Sequence, residues 1–212
     1  MKACDIGYAA AVGLLVLAIA SCSAGGDTAE FSFTDEEGME TVAVLETTQG
    51  TIEIGFFPDK APEHVKNFLN LCGSGYYDGT YFHRVAPGFM IQGGDPNTRD
   101  DDPSNDGQGG STYRGPGTTL EPEFNDIRHV RGIVSMARSA APNSAGSQFF
   151  IMVEDAPQLD GNYTVFGHVI NGMDAVDEIV EQPGTPIPGA GGVRPAEPQY
   201  IEKCWVEDRP AS

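Results

Sequence analysis

Two short runs, about fifty residues apart, place hydrogen-bonding side chains among large apolar ones. The first is Phe82-His83-Arg84-Val85-Ala86-Pro87-Gly88-Phe89-Met90-Ile91-Gln92-Gly93-Gly94-Asp95, and the second is Gly146-Ser147-Gln148-Phe149-Phe150-Ile151. Both alternate as strands do. Their composition suits a shallow apolar pocket with a few aimed polar groups on its rim. Other chemistries find less support. His64, His83, His129 and His168 share no ligand spacing, and no Cys-x-x-Cys exists, so a metal site is not expected. Asp102, Ser104, Asp106 and Gly107 begin like a calcium loop, but its twelfth position would be Tyr113 rather than Glu. A solvated loop is the simpler reading. Gly107-Gln108-Gly109-Gly110 lacks the third spaced glycine of a dinucleotide fingerprint, and no Gly-x-Ser-x-Gly elbow supports a hydrolase. His83 adjoins Arg84, but strand alternation turns it to the opposite face, where it is structural.

Together with Leu159-Asp160-Gly161 and Val165-Phe166-Gly167-His168-Val169, the two runs resemble the cyclophilin family of peptidyl-prolyl cis-trans isomerases, over roughly Thr41 to Val206. The resemblance implies rotation about X–Pro bonds, without nucleophile, metal or cofactor. It implies that Arg84 donates to the amide nitrogen of the twisted bond and that Gln92 orients the substrate carbonyl. Phe89, Met90, Phe150 and Leu159 match the proline pocket, Gln148 matches another lining residue, and Ala137 and Gly107 match substrate-groove positions. By residue type alone, the aromatic side chains fit barrel core better than a pocket, and the resemblance reverses that reading; for Arg84 the alternative is a surface salt bridge.

Three departures from the family pattern stand out. Gln158 replaces the Trp of many eukaryotic relatives, which removes the indole that donates to cyclosporin, and Tyr163 replaces a pocket-edge His. Ala137-Arg138-Ser139 replaces an Ala-Asn-Ala groove segment, with one residue added before Pro142-Asn143, and brings Arg138 near the substrate backbone. A module that binds proline peptides as a chaperone, without turnover, is the alternative function. A structural platform on a surface lipoprotein is a third.

The elements around these runs are short. Thr41–Leu45 and Thr51–Phe56 form a hairpin around Thr47-Thr48-Gln49-Gly50. Pro58-Asp59-Lys60-Ala61-Pro62 opens a helix, which carries an apolar stripe at Val65, Phe68, Leu69 and Cys72 and ends at Gly73. Strands are predicted at Tyr81–Val85, Met90–Gln92, Ile133–Ala137, Phe149–Val153, Thr164–Ile170 and Ile201–Val206, with a second helix from Met173 to about Glu181. Pro96–Gly117 reads as a long surface loop and Pro183–Pro198 as an irregular insert. The chain is therefore mainly β. The resemblance implies a closed eight-stranded antiparallel barrel capped by two α-helices.

The N-terminus reads as a targeting segment. Ala9–Ala20 is apolar, but twelve residues at about 1.5 Å each cannot cross a hydrocarbon core of about 30 Å. Ile19-Ala20-Ser21-Cys22 resembles the lipobox of bacterial lipoproteins, which implies a signal peptide over 1–21 and a lipid on Cys22. Residues 22–38 would be an acidic tether and 39–208 the isomerase domain. Attachment to a bacterial membrane outside the cytoplasm follows. An ordinary cleaved signal, giving a secreted or periplasmic protein, is the alternative. The net charge of −19 disfavours nucleic acid as a partner. The protein is expected to be a monomer whose partners are unfolded proline-containing chains, and the membrane through its lipid. Cys72 and Cys204 remain in the domain, and the cyclophilin arrangement would bring them near enough for a disulfide; two buried free thiols are the alternative.

Overall fold

The computed structural model describes residues 39–210; the expected leader, Cys22 and tether lie outside them. In chain order the elements are β1 (Met39–Thr47), β2 (Gly50–Phe56), α1 (Pro62–Gly73), β3 (Thr80–Tyr81), β4 (Arg84–Ala86), β5 (Met90–Gly93), β6 (Ile133–Met136), β7 (Phe149–Met152), β8 (Val165–Asn171), α2 (Met173–Val180), β9 (Gly184–Pro186), β10 (Val193–Pro195) and β11 (Tyr200–Pro210). The strands form one sheet in the order β3-β11-β1-β2-β8-β6-β7-β5-β4-β10-β9, and every pairing is antiparallel.

The order of strands contains its own closure. β3 begins the run and β4 stands eight places along it, yet only Phe82 and His83 separate the two in sequence. They are two halves of one interrupted strand. The covalent chain thus closes the ring, giving an eight-stranded barrel with the β9–β10 hairpin appended to β4. The break within Tyr81–Val85 was not expected, nor was the hairpin. The supposedly irregular segment 183–198 pairs Val193 with Val85 and so extends the sheet.

Two-residue periodicity sorts the barrel strands. Val85, Ile91, Val134, Phe149 and Ile151 face inward and join Phe68 and Leu69 of α1 and Val176 and Ile179 of α2 in the main core. The alternate residues Ala86, Met90, Ile133, Phe150, Met152 and Val165 form a second apolar cluster on the outer face. Helix α1 packs on β8 and β11, and α2 on β2, β4 and β5. Each large side chain removed from water in this way contributes about 1.5–3 kcal/mol. Helix α1 starts with Pro62 in its first turn, where a missing N–H costs nothing. It runs through Gly73, and the left-handed glycine that ends it is Gly75, at φ 72°.

The 96–117 segment is pinned rather than wholly solvated. Asp95 accepts the Asn97 N–H at 2.9 Å to start a short 3-10 turn over Pro96–Arg99. Tyr81 Oη donates to Asp106 at 2.5 Å, and Arg194 pairs with the same buried carboxylate at 3.0 Å.

Cys72 at the end of α1 and Cys204 on β11 form a disulfide, with Cα atoms 5.2 Å apart and 132 positions between them in sequence. A cross-link closing so long a loop stabilises mainly by restricting the unfolded chain, by about 2–5 kcal/mol. The double variant Cys72→Ser/Cys204→Ser is expected to unfold at a correspondingly lower urea concentration. An unchanged midpoint would show that the bond adds no stability.

Candidate active site

Register places the polar residues in a row across the outer face. Arg84 on β4 lies opposite Gln92 on β5, Gln92 opposite Phe150 on β7, and Phe150 opposite Ser135 on β6. Neighbouring strands are about 4.8 Å apart, so the row alternates charge, amide, ring and hydroxyl over about 15 Å.

Beside this row is a depression of about 170 Å³ lined by Arg84, Phe89, Met90, Gln92, Ala137, Arg138, Phe150, Leu159 and Tyr163. Its walls come from β4, β5, the turn between them, β7, the segment just past β6, and the loop that carries Leu159 and Tyr163. A second depression of about 210 Å³ adjoins it, sharing Gln92, Ala137 and Arg138 and adding Gly107, Gly109, Ser144 and Gln148 among others. The ten residues singled out for catalysis and substrate binding thus line these two hollows. The disulfide lies elsewhere, and Cys22 is outside the described residues.

The Arg84 guanidinium is half-buried, and burial lowers its pKa. Nη1 donates to Gln92 Oε1 at 3.1 Å, Nε to the Gly191 carbonyl at 2.8 Å, and Nη2 to the Ala190 carbonyl at 2.6 Å. Every acceptor is uncharged, and among the described residues no carboxylate forms a salt bridge with Arg84. Gln92 Nε2 in turn donates to Gln148 Oε1 at 2.9 Å, and Gln148 Nε2 donates to the Gly109 carbonyl at 2.7 Å. This relay fixes both amides the right way round for Arg84.

Sequence reasoning missed the contribution of Ala190 and Gly191. They act through backbone carbonyls in the turn joining β9 to β10, so no side chain announced them. The available signal was glycine: Gly189, Gly191 and Gly192 all have positive φ, and a Cβ at Gly192 would collide with the Val85 carbonyl.

Beneath the hollow, the His129 ring stacks on Phe150 with centroids 6.1 Å apart. Its Nδ1 lies 3.0 Å from Asp160 Oδ1 and its Nε2 3.1 Å from Ser135 Oγ. Burial lowers the His129 pKa against the opposing pull of Asp160. The Ser-His-Asp order suggests a nucleophile, but Ser135 is fully buried and donates to the Thr164 carbonyl at 2.9 Å. His83 is also buried, lies under Gly107 and borders neither hollow; burial holds its pKa at about 4. Among the described residues, no group of three or more His, Cys, Asp or Glu side chains is placed to hold a metal.

Residues 42–206 match the family model for cyclophilin type peptidyl-prolyl cis-trans isomerase. A probable peptidyl-prolyl cis-trans isomerase of Brucella abortus is 47% identical over 144 residues, which is 66% of this chain and 71% of the relative. A peptidyl-prolyl cis-trans isomerase of Arabidopsis thaliana is 46% identical over 172 residues, covering 78% of this chain and 96% of the relative. The crystal structure of a Cryptosporidium parvum cyclophilin in the presence of the dipeptide Ala-Pro aligns with a TM-score of 0.69 and 32% identity, over 78% of this chain and 98% of that one. With the barrel, the apolar hollow and its oriented arginine in place, these matches show that the chain belongs to the cyclophilin-type peptidyl-prolyl cis-trans isomerase family.

Proposed function

We propose that this isomerase seats a substrate proline ring in the hollow formed by Phe89, Met90, Phe150 and Leu159, and that Arg84 donates a hydrogen bond to the imide nitrogen as the bond twists. Rotation about an X–Pro bond faces a barrier of about 18–20 kcal/mol because the nitrogen lone pair is delocalised into the carbonyl. In the twisted state the nitrogen becomes pyramidal and recovers that pair as an acceptor. Only an interaction stronger in that state than in either planar isomer accelerates rotation.

The observation that carries this reading is the way Arg84 is held. Three of its five N–H groups meet neutral oxygens at the rim of an apolar hollow, leaving two for the substrate. Shortening tens of seconds to milliseconds is about 10⁴-fold, or roughly 5.5 kcal/mol. A charge-assisted hydrogen bond contributes about 1.5–3 kcal/mol, up to about half of that. Gln92 and the backbone would orient the substrate carbonyl, and exclusion of water by the ring would strengthen the contact. A module that only holds proline segments needs the hollow but not an oriented, uncompensated donor.

Substrates on this reading are flexible proline-containing segments of unfolded or newly exported chains, because a folded turn cannot enter the groove. The lipobox-like Ile19-Ala20-Ser21-Cys22 supports attachment to a bacterial membrane outside the cytoplasm, through lipid on Cys22. No helix among the described residues is long and apolar enough to span a bilayer.

Arg84→Ala is expected to lower kcat/KM on a proline peptide by about ten- to hundredfold with the fold retained; equal rates would remove Arg84 from the mechanism. Shortening the Ile187–Gly192 turn, with the β9–β10 pairs kept, should speed solvent exchange of the Arg84 Nε–H in NMR spectra. The same variant should lower kcat by up to about tenfold, and an unchanged kcat would show that the turn does not orient Arg84. In the full chain, Cys22→Ser should abolish palmitate labelling and release the protein from membranes; retained label would place the lipid elsewhere.

A further inference from the structure

Arg138, like Arg84, donates three hydrogen bonds to neutral oxygens, and the proposed isomerisation does not use its charge. It follows Ala137 just past the end of β6 and lines both hollows. Nε and Nη2 donate to the Asn162 carbonyl at 2.9 and 2.8 Å, and Nη1 donates to the Ser139 carbonyl at 3.0 Å. The guanidinium lies 4.8 Å from the centre of the Tyr163 ring and 5.9 Å from that of Phe124. Arg114, Arg131, Arg194 and Arg209 each pair with a carboxylate. Among the described residues, none forms a salt bridge with Arg138. A chain with a net charge of −19 therefore keeps an unneutralised cation on the boundary between its two hollows.

That arrangement is prepared for an anion. Carbonyls and ring faces fix the guanidinium without cancelling its charge, and two N–H groups remain. Because the side chain is already ordered, a carboxylate bound there loses little further freedom on the protein side. An extended substrate advances about 3.3–3.6 Å per residue, so with its proline ring in the first hollow, residues one or two positions away pass Arg138 as the chain enters the second.

Resting on the isomerase reading above, we propose that Arg138 is a specificity-determining residue that recognises an aspartate or glutamate within two residues of the substrate proline. The preference would be local, set against a global field that repels acidic chains.

The test measures kcat/KM by NMR exchange on otherwise uncharged proline peptides carrying Glu, Gln or Lys at each of the two positions on either side of the proline. Measurements are made at about 0.15 M salt, where charges farther apart than about 8 Å are largely screened. For the wild type, Glu is expected to exceed Gln by about threefold at one position, with Lys below Gln, as for one partly exposed ion pair. Arg138→Gln should bring the Glu/Gln ratio to one, and Arg138→Lys should restore part of it. Lys60→Gln changes net charge equally at a residue that lines neither hollow and should keep the wild-type ratio. Turnover with equal rates for Glu, Gln and Lys would overturn the proposal and leave the isomerase reading standing. A uniform loss across all peptides in Arg138→Gln would also overturn it, assigning Arg138 to groove shape alone. Absence of turnover on every peptide would defeat the isomerase reading, and this proposal with it.

Discussion

A charged guanidinium beside an apolar hollow must be oriented without being neutralised, and the candidate site is arranged around that constraint. A carboxylate about 4 Å from Arg84 would attract it by about 4 kcal/mol at the effective dielectric of a protein surface. Such a partner would hold the side chain in its resting state and offset its action on any developing acceptor. Two backbone carbonyls and a glutamine oxygen impose direction while leaving the charge uncompensated. In a chain so rich in Asp and Glu, keeping carboxylates away from this arginine is a requirement on the fold.

The hairpin and the barrel meet this requirement together. The Val193–Val85 pair ties β10 to the residue after Arg84, so the β9–β10 turn reaches the guanidinium at a set height. On the other side, Gln92 is held by Gln148, and Gln148 by the Gly109 carbonyl in the long loop. That loop is anchored through the Tyr81–Asp106–Arg194 cluster. Arg194 belongs to β10, so both sides of the Arg84 cradle lead back to one buried carboxylate. Strand register is equally demanding: a slip of one residue in β4 or β5 would turn Arg84 or Gln92 into the barrel interior.

Burial keeps positive charge off the two histidines that lie behind lining residues. His129 beneath Phe150 and His83 beneath Gly107 are both buried, and burial disfavours their charged forms, with His83 held at about 4. Asp160 is kept ionised by hydrogen bonds from the His129 backbone and ring, at the edge rather than under the pocket. Near neutral pH the positive charges bordering the hollow are therefore those of Arg84 and Arg138.

The order of amino acids determined by itself whatever depends on neighbours along the chain. Alternation in Phe82–Gln92 and Phe149–Ile151 marked strands with one apolar and one functional face, and the spacing of Val65, Phe68, Leu69 and Cys72 marked a helix stripe. The same runs carried the family resemblance, and with it the pocket residues. Tertiary structure alone decided what depends on residues distant in sequence. It broke the Tyr81–Val85 strand so that its halves close the ring, and folded 183–198 into a hairpin. It joined Cys72 to Cys204, and brought the carbonyls of Ala190 and Gly191 to Arg84. The physical reason is that a backbone carbonyl has the same chemistry at every residue. The glycines at 189, 191 and 192 mark a turn, but which guanidinium its carbonyls meet, more than a hundred positions away, is set by strand pairing.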